Sequence, residues 1–212
     1  MLAGCAGPAR AGHNGRVGIL DAPTLTHPLV TLEPLTHNHA DALAEAAAED
    51  GLHARAWYTA VPAPDAVGAE IERRLGLHAA GSMVPWVIRR ASDDRVVGMT
   101  TYMHIDAASP RLEIGSTWMS PSTQGTGVNP AMKLLMLERA FDELGVIAVE
   151  FRTHAHNHQS REAIARLGAK QDGILRSHQL WAGVLRDTVV YSILPHEWPA
   201  VRLGLEARIA RR

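Results

Sequence analysis

The residues best equipped for chemistry crowd one short stretch, "RTHAHNHQS", from Arg152 to Ser160. It carries His154, His156 and His158 at alternate positions, with Asn157 and Ser160 between and after them. On a strand the three imidazoles share one face, but His154 and His158 then stand about 13 Å apart at ~3.3 Å per residue. A zinc ion needs its nitrogens together at ~2.0–2.1 Å. No HExxH or CxxC supports the three, so no metal is expected. The histidines are expected on the surface around a strand-to-helix turn, where Asn157 and Ser160 suit the cap and first turn of a helix.

A second concentration is the loop "MSPSTQGTGVNPAMKLL". Gly125 and Gly127 leave the backbone free to turn and to be approached closely. Asn129 suits the N-cap of the helix that follows, and Pro130 its first position. Free amides at such a junction, aided by the helix dipole, make an anion site that would fit a pyrophosphate. The plainer alternative is a glycine-rich turn with no ligand. Glu113, in "RLEIG", is the most central carboxylate. By itself it reads as a surface strand charge or a substrate contact.

These residues need elements to position them. Residues 1–22 are rich in Gly and Ala without a period, so a disordered leader is expected. Leu29–Leu35 alternates as a strand, and Thr36 precedes an Ala-rich helix from His39 to about Glu49. A second helix begins at Asp65, with Ile71, Leu75 and His78 on one face, and stops at Gly81. Strands are expected over 84–90, 96–105 and 111–119, with turns at Asp93-Asp94 and Ser109-Pro110. A helix from Asn129 to Leu144 carries Leu134, Leu137, Phe141 and Leu144, and Gly145 ends it. An apolar strand over 146–153, a short helix over 159–167, a hairpin of 170–181 and 186–194 around Ala182-Gly183, and a helix from Trp198 complete the order. The pattern is α+β, with one β–α–β crossover at 111–153. The expected division is a leader over 1–22, a domain over 23–195 and a helical arm over 196–212.

Composition bounds the partners. The 212 residues carry a net charge of -1, with 46% apolar and 20% charged residues, an ordinary soluble balance. No basic patch invites nucleic acid. No apolar run is long enough for a membrane helix. The single cysteine, Cys5, permits no internal disulfide, so the cytoplasm is the expected compartment.

The loop "MSPSTQGTGVN" resembles the acyl-coenzyme A loop of GNAT-superfamily N-acetyltransferases, with Gln124 and Gly127 on the pattern and Asn129 where a small residue is usual. "LEIGSTWMSPSTQGTGVN", "NHQSREAIARLGA" and "RDTVVYSIL" resemble the ribosomal-protein-alanine acetyltransferase (RimJ/RimL) branch, and the element order agrees over roughly 29–194. The resemblance implies a mixed, mostly antiparallel sheet, flanked by helices and splayed between two parallel middle strands, 111–119 and 146–153. Acetyl-coenzyme A would be co-substrate, with no metal. Its pantetheine would run along the strand edge at Trp118 and Met119. Its pyrophosphate would meet amides of Gly125, Thr126, Gly127, Val128 and Asn129, beside Gln124. Asn157 would touch the pantetheine amides, and Ser160 the sulfur. The Met119 amide would serve the oxyanion, and Glu113 would act as base directly or through water. The tyrosine that many relatives use four residues after Ser160 is here Ile164. Trp57 and Tyr58, after the first helix, are the residues expected near the acceptor.

The function implied is acetyl transfer to a primary amine. An α-amine, at a pKa of ~7.7–8.0, loses its proton for roughly 3–4 kcal/mol less than lysine at ~10.4. A protein N-terminus or an amino-acid-like small molecule is therefore the expected acceptor. The alternative is an acyl-coenzyme A-binding scaffold or sensor without turnover. Relatives are often dimers, so a homodimer is compatible with the reading.

Overall fold

A computed structural model describes residues 18–55 and 60–211. Eight strands form one sheet in the order β1-β2-β3-β4-β5-β6-β8-β7. They are β1 (Leu25–His27), β2 (Val30–Pro34), β3 (Met83–Arg90), β4 (Arg95–Asp106), β5 (Arg111–Met119), β6 (Ala148–His154), β7 (Lys170–Trp181) and β8 (Val184–Ile193). The helices are α1 (Ala40–Ala48), α2 (Val67–Ala79), α3 (Val128–Glu138), α4 (His158–Ala165) and α5 (Trp198–Ala210). Every strand pair is antiparallel except β5–β6. The α+β fold with a parallel middle pair is therefore as the sequence implies.

That parallel pair is short. Only Arg111↔Ala148, Leu112↔Val149 and Glu113↔Glu150 are in register. Beyond them β6 pairs with β8 alone, through Phe151↔Tyr191 to His154↔Thr188. The strands part where β5 bulges: Thr101↔Gly115 is followed by Met99↔Trp118, one residue more on β5 than on β4, and Ser116 has φ 47°. A bulge bends and twists its strand, which turns β5 off the line of β6. The buried Arg74 of α2 fixes the bulge, donating to the Ser116 carbonyl at 3.1 Å and to Glu70 at 2.6 Å.

Two apolar clusters sandwich the sheet. One face packs Val84, Trp86, Tyr102, Leu112, Ile114, Val149 and Phe151 against α3, α4 and α5. The other packs Val87, Met99 and Trp118 against α1 and α2 through Leu43, Ala46, Ala47, Val67 and Ile71. Trp198, Val201 and Leu205 bring α5 into the first cluster.

Local departures from the expected elements have local causes. β1 is too short for a period-2 signal to reveal. α3 starts at Val128, capped by Gly127 at φ 83°, so Asn129 is not the cap and Pro130 is its third residue. The left-handed glycine turns the chain into the helix, and the Ala131 amide already bonds the Gly127 carbonyl at 3.1 Å. After Glu138 the helix widens into a π turn over Arg139–Glu143. Residues 18–22, expected within the leader, form a turn whose carbonyls take bonds from His78 and Arg139. At the last hairpin, Ala182 and Gly183 both have positive φ, as a tight two-residue turn requires.

Candidate active site

The site is built where β5 and β6 separate, between the loop at the end of β5 and the start of α4. The loop is tied down on one side only. Ser120 N–H donates to the Val97 carbonyl at 2.7 Å and its hydroxyl to Ala46 at 3.1 Å. Thr123 and Thr126 hydroxyls donate back to the Ser120 and Thr123 carbonyls, each at 2.7 Å. Glu49 holds Ser122 through its amide, at 2.5 Å, and its hydroxyl. By contrast the amides of Gly125, Gly127 and Asn129 find no acceptor among the described residues. At the positive end of α3 these donors form a cradle suited to a phosphate. Pro130 costs the helix no bond of its own, because first-turn amides have no intrahelical partner. Gln124, Gly125 and Thr126 are exposed, and Gly127 and Val128 are buried beneath them.

Asn157 caps α4: its side-chain oxygen accepts from the Ser160 amide at 3.0 Å. Ser160 is half-buried in the first turn, and Ile164 one turn on is buried in the core. The Trp118 ring is buried among the α1 and α2 residues, so only its backbone can face a ligand; its indole N–H has no partner among the described residues. Met119, half-buried, ends β5 opposite Gly98. Trp57 and Tyr58 lie outside the described residues.

Of the three histidines, His156 and His158 are exposed at the strand-to-helix turn as expected, and His154 is not. The strand ends at His154, which is buried rather than on the surface; its Nδ1 accepts from the His156 amide at 3.0 Å. His156 sits in the turn, and His158 opens α4. A strand-to-helix corner takes the three off a common face. Among the described residues no group of three His, Cys, Asp or Glu side chains could hold a metal.

Glu113 is buried, not a surface charge, and sits at the last parallel pair. Its carboxylate accepts from His104 Nδ1 at 2.7 Å and lies 3.4 Å from Arg152 Nε. Arg152 also bonds Glu150 at 2.8 Å, and Arg111 pairs with the same carboxylate. Gly115 makes room: a Cβ there would stand 2.6 Å from Glu113 Oε1 and 2.8 Å from Met103 Sδ. The hydrogen bond to Glu113 raises the His104 pKa; burial and Arg152 oppose it, and Glu150 adds to it. The sequence singles out Glu113 but gives no role to Arg152, although the alternation of β6 puts Arg152 on the Glu150 face. It also passes over Lys133 of α3, buried over the Phe151 ring at 5.6 Å, whose pKa burial lowers to about 7.

Residues 30–170 match the Acetyltransferase (GNAT) domain family, and the chain belongs to that family. Within it, the chain is 29% identical over 106 residues to YdaF of Bacillus subtilis (strain 168), named as a ribosomal N-acetyltransferase; the match covers 50% of this chain and 57% of that protein. Among solved structures, a GCN5-related N-acetyltransferase from Brucella melitensis superposes with TM-score 0.81 at 29% identity, over 89% of this chain and 86% of that one. A protein from T. thermophilus, named as an acetyltransferase, gives 0.76 at 32% identity, over 87% and 96%. Mycobacterium smegmatis RimJ, solved with CoA-disulfide, shares the fold at TM-score 0.72 and 23% identity, over 87% and 92%. No helix among the described residues is long and apolar enough to cross a membrane.

Proposed function

We propose that the protein transfers an acetyl group from acetyl-coenzyme A to a primary amine, by preference the α-amine of a protein N-terminus or of an amino-acid-like small molecule. The observation that carries this reading is the separation of β5 from β6 after three paired residues, with unbonded loop amides following the end of β5. The gap offers β5 edge groups to a pantetheine arm, and Gly125, Gly127 and Asn129 offer N–H donors to its pyrophosphate. Gln124, Thr126 and Val128 shape the same turn. Asn157 and Ser160 border the gap from α4, Ser160 beside the leaving sulfur. The Met119 amide would stabilise the tetrahedral oxyanion, the largest single term in many acyl transfers. Trp57 and Tyr58 would lie near the acceptor.

The names of the relatives support a ribosomal-protein acceptor, and the ordinary pKa of an α-amine agrees with a site lacking the tyrosine acid. The chemistry suits the cytoplasm, where acetyl-coenzyme A and nascent N-termini meet. The test is thiol release from acetyl-coenzyme A with short peptides of differing first residue, free amino acids and polyamines. Turnover on peptides is expected, and binding without release on any acceptor would leave only a scaffold. Ser160→Ala should slow turnover about 100-fold or more, in the range of general acid catalysis, with coenzyme A affinity nearly unchanged by calorimetry. Equal loss of both would contradict the role.

A further inference from the structure

The group that touches Glu113 most directly is also the one open to an incoming amine. His104 has φ 48°, a left-handed residue inside β4, and the β4–β5 register slips between Met103 and Asp106. Met103 already opposes Glu113, so strict alternation would send His104 to the opposite face, into the apolar cluster. The bulge instead puts His104 beside Met103 on the Glu113 face, in a left-handed backbone conformation that a residue with a Cβ adopts only at some cost. The two members are unequal. The His104 side chain is 54% exposed and that of Glu113 5% exposed, so an amine reaches the imidazole first. The Glu113 carboxylate already serves His104 Nδ1 and Arg152. With Nδ1–H donated to Glu113, Nε2 is the imidazole's proton-accepting atom.

Resting on the acetyltransferase reading, we propose that His104 is the proton acceptor for the amine and that the buried Glu113 positions and polarises it. The ammonium of the acceptor gives one proton to His104 Nε2. The freed nitrogen lone pair attacks the thioester carbonyl, and a C–N bond forms. The C–S bond then breaks, the sulfur keeping its electron pair. The nitrogen's second proton ends on the thiol, and His104 returns the first to solvent. The pair thus resembles the imidazole–carboxylate couple of other acyl-transfer sites, in which the carboxylate orients the ring and stabilises the imidazolium. The hydrogen bond to Glu113 raises the His104 pKa, which moves the imidazole toward the range of an α-amine at ~7.7–8.0. The charged groups facing it are Glu113 from β5 and Glu150 and Arg152 from β6, while Arg186 of β8 acts on Glu113.

The test is the pH dependence of kcat/KM for the full chain, using acetyl-coenzyme A and peptides beginning with alanine or serine. The wild type should show one acidic limb with its midpoint above 6.5. His104→Asn keeps a side-chain donor for Glu113 but removes Nε2. It should lower kcat/KM at least about 100-fold, erase the limb, leave coenzyme A affinity unchanged, and regain rate with added imidazole. In NMR titration the His104 ring should titrate above 6.5 in the wild type and lower in Glu113→Gln. A His104→Asn enzyme that keeps the wild-type rate and limb would overturn the assignment while acetyl transfer stands. A wild type that releases no thiol overturns acetyl transfer itself, and the assignment with it. A ring pKa indifferent to Glu113→Gln removes the polarising role of Glu113.

Discussion

Gly115 decides where the Glu113 carboxylate lies. The absent Cβ leaves the space into which Oε1 extends, with Met103 Sδ on the other side. Gly115→Ala should therefore displace the carboxylate and lengthen its bond to His104. A fall of about 100-fold in kcat/KM is expected, at the lower end of what an acid–base group contributes. The accompanying stability loss, about 1–3 kcal/mol as for other overpacked sites, is read by urea titration. The sequence shows Glu113, Asn157 and Ser160 as residue types in a pattern, and the cap at Asn157 is a local matter that it discloses. The His104–Glu113 contact is not visible there. It depends on one positive φ, which reverses the side-chain alternation that sequence reading relies on.

At the scale of elements, the loop and α3 form one device. Gly127 must adopt φ 83° for α3 to start at Val128 while the Gly127 and Asn129 amides stay unbonded among the described residues. Gly127→Val puts a β-branched residue in that conformation, which costs about 1–2 kcal/mol or reshapes the turn. Coenzyme A affinity measured by calorimetry should fall at least about 10-fold, because the cradle no longer presents its amides. Lys133 adds a pH dependence. Its pKa falls from 10.5 to about 7 through burial, and it pairs with no carboxylate among the described residues. Between those values the unfolded chain binds a proton that the folded chain does not, so stability rises with pH there. Lys133→Met should remove that rise and add roughly 1–4 kcal/mol near neutral pH, as when a buried charge gives way to an apolar side chain of similar size. Denaturant midpoints at pH 7 and 9 check both. The glycines made the loop legible in sequence. The helix cap was read two residues late because Asn129 and Pro130 make good cap chemistry, while Gly127 won through backbone freedom.

Across the whole molecule, α5 closes the main core. Trp198 is buried, stacks on Phe141 at 5.7 Å and donates its indole N–H to Asp142 at 3.0 Å. Trp198→Ala should cost about 3–5 kcal/mol, a large part of the ~5–15 kcal/mol that holds a typical domain; the denaturation midpoint reads it. The sequence alone determined the order of elements from β2 onward, the antiparallel meander, the hairpin at Ala182-Gly183 and the family, because periodicity, turn residues and short motifs act through neighbours along the chain. Only the tertiary structure decided how far β5 and β6 stay paired, that Arg74 braces the bulge between them, and that His104 and Glu113 meet. Those outcomes follow from residues far apart in sequence competing for the same space and the same backbone groups, and no local pattern encodes who wins.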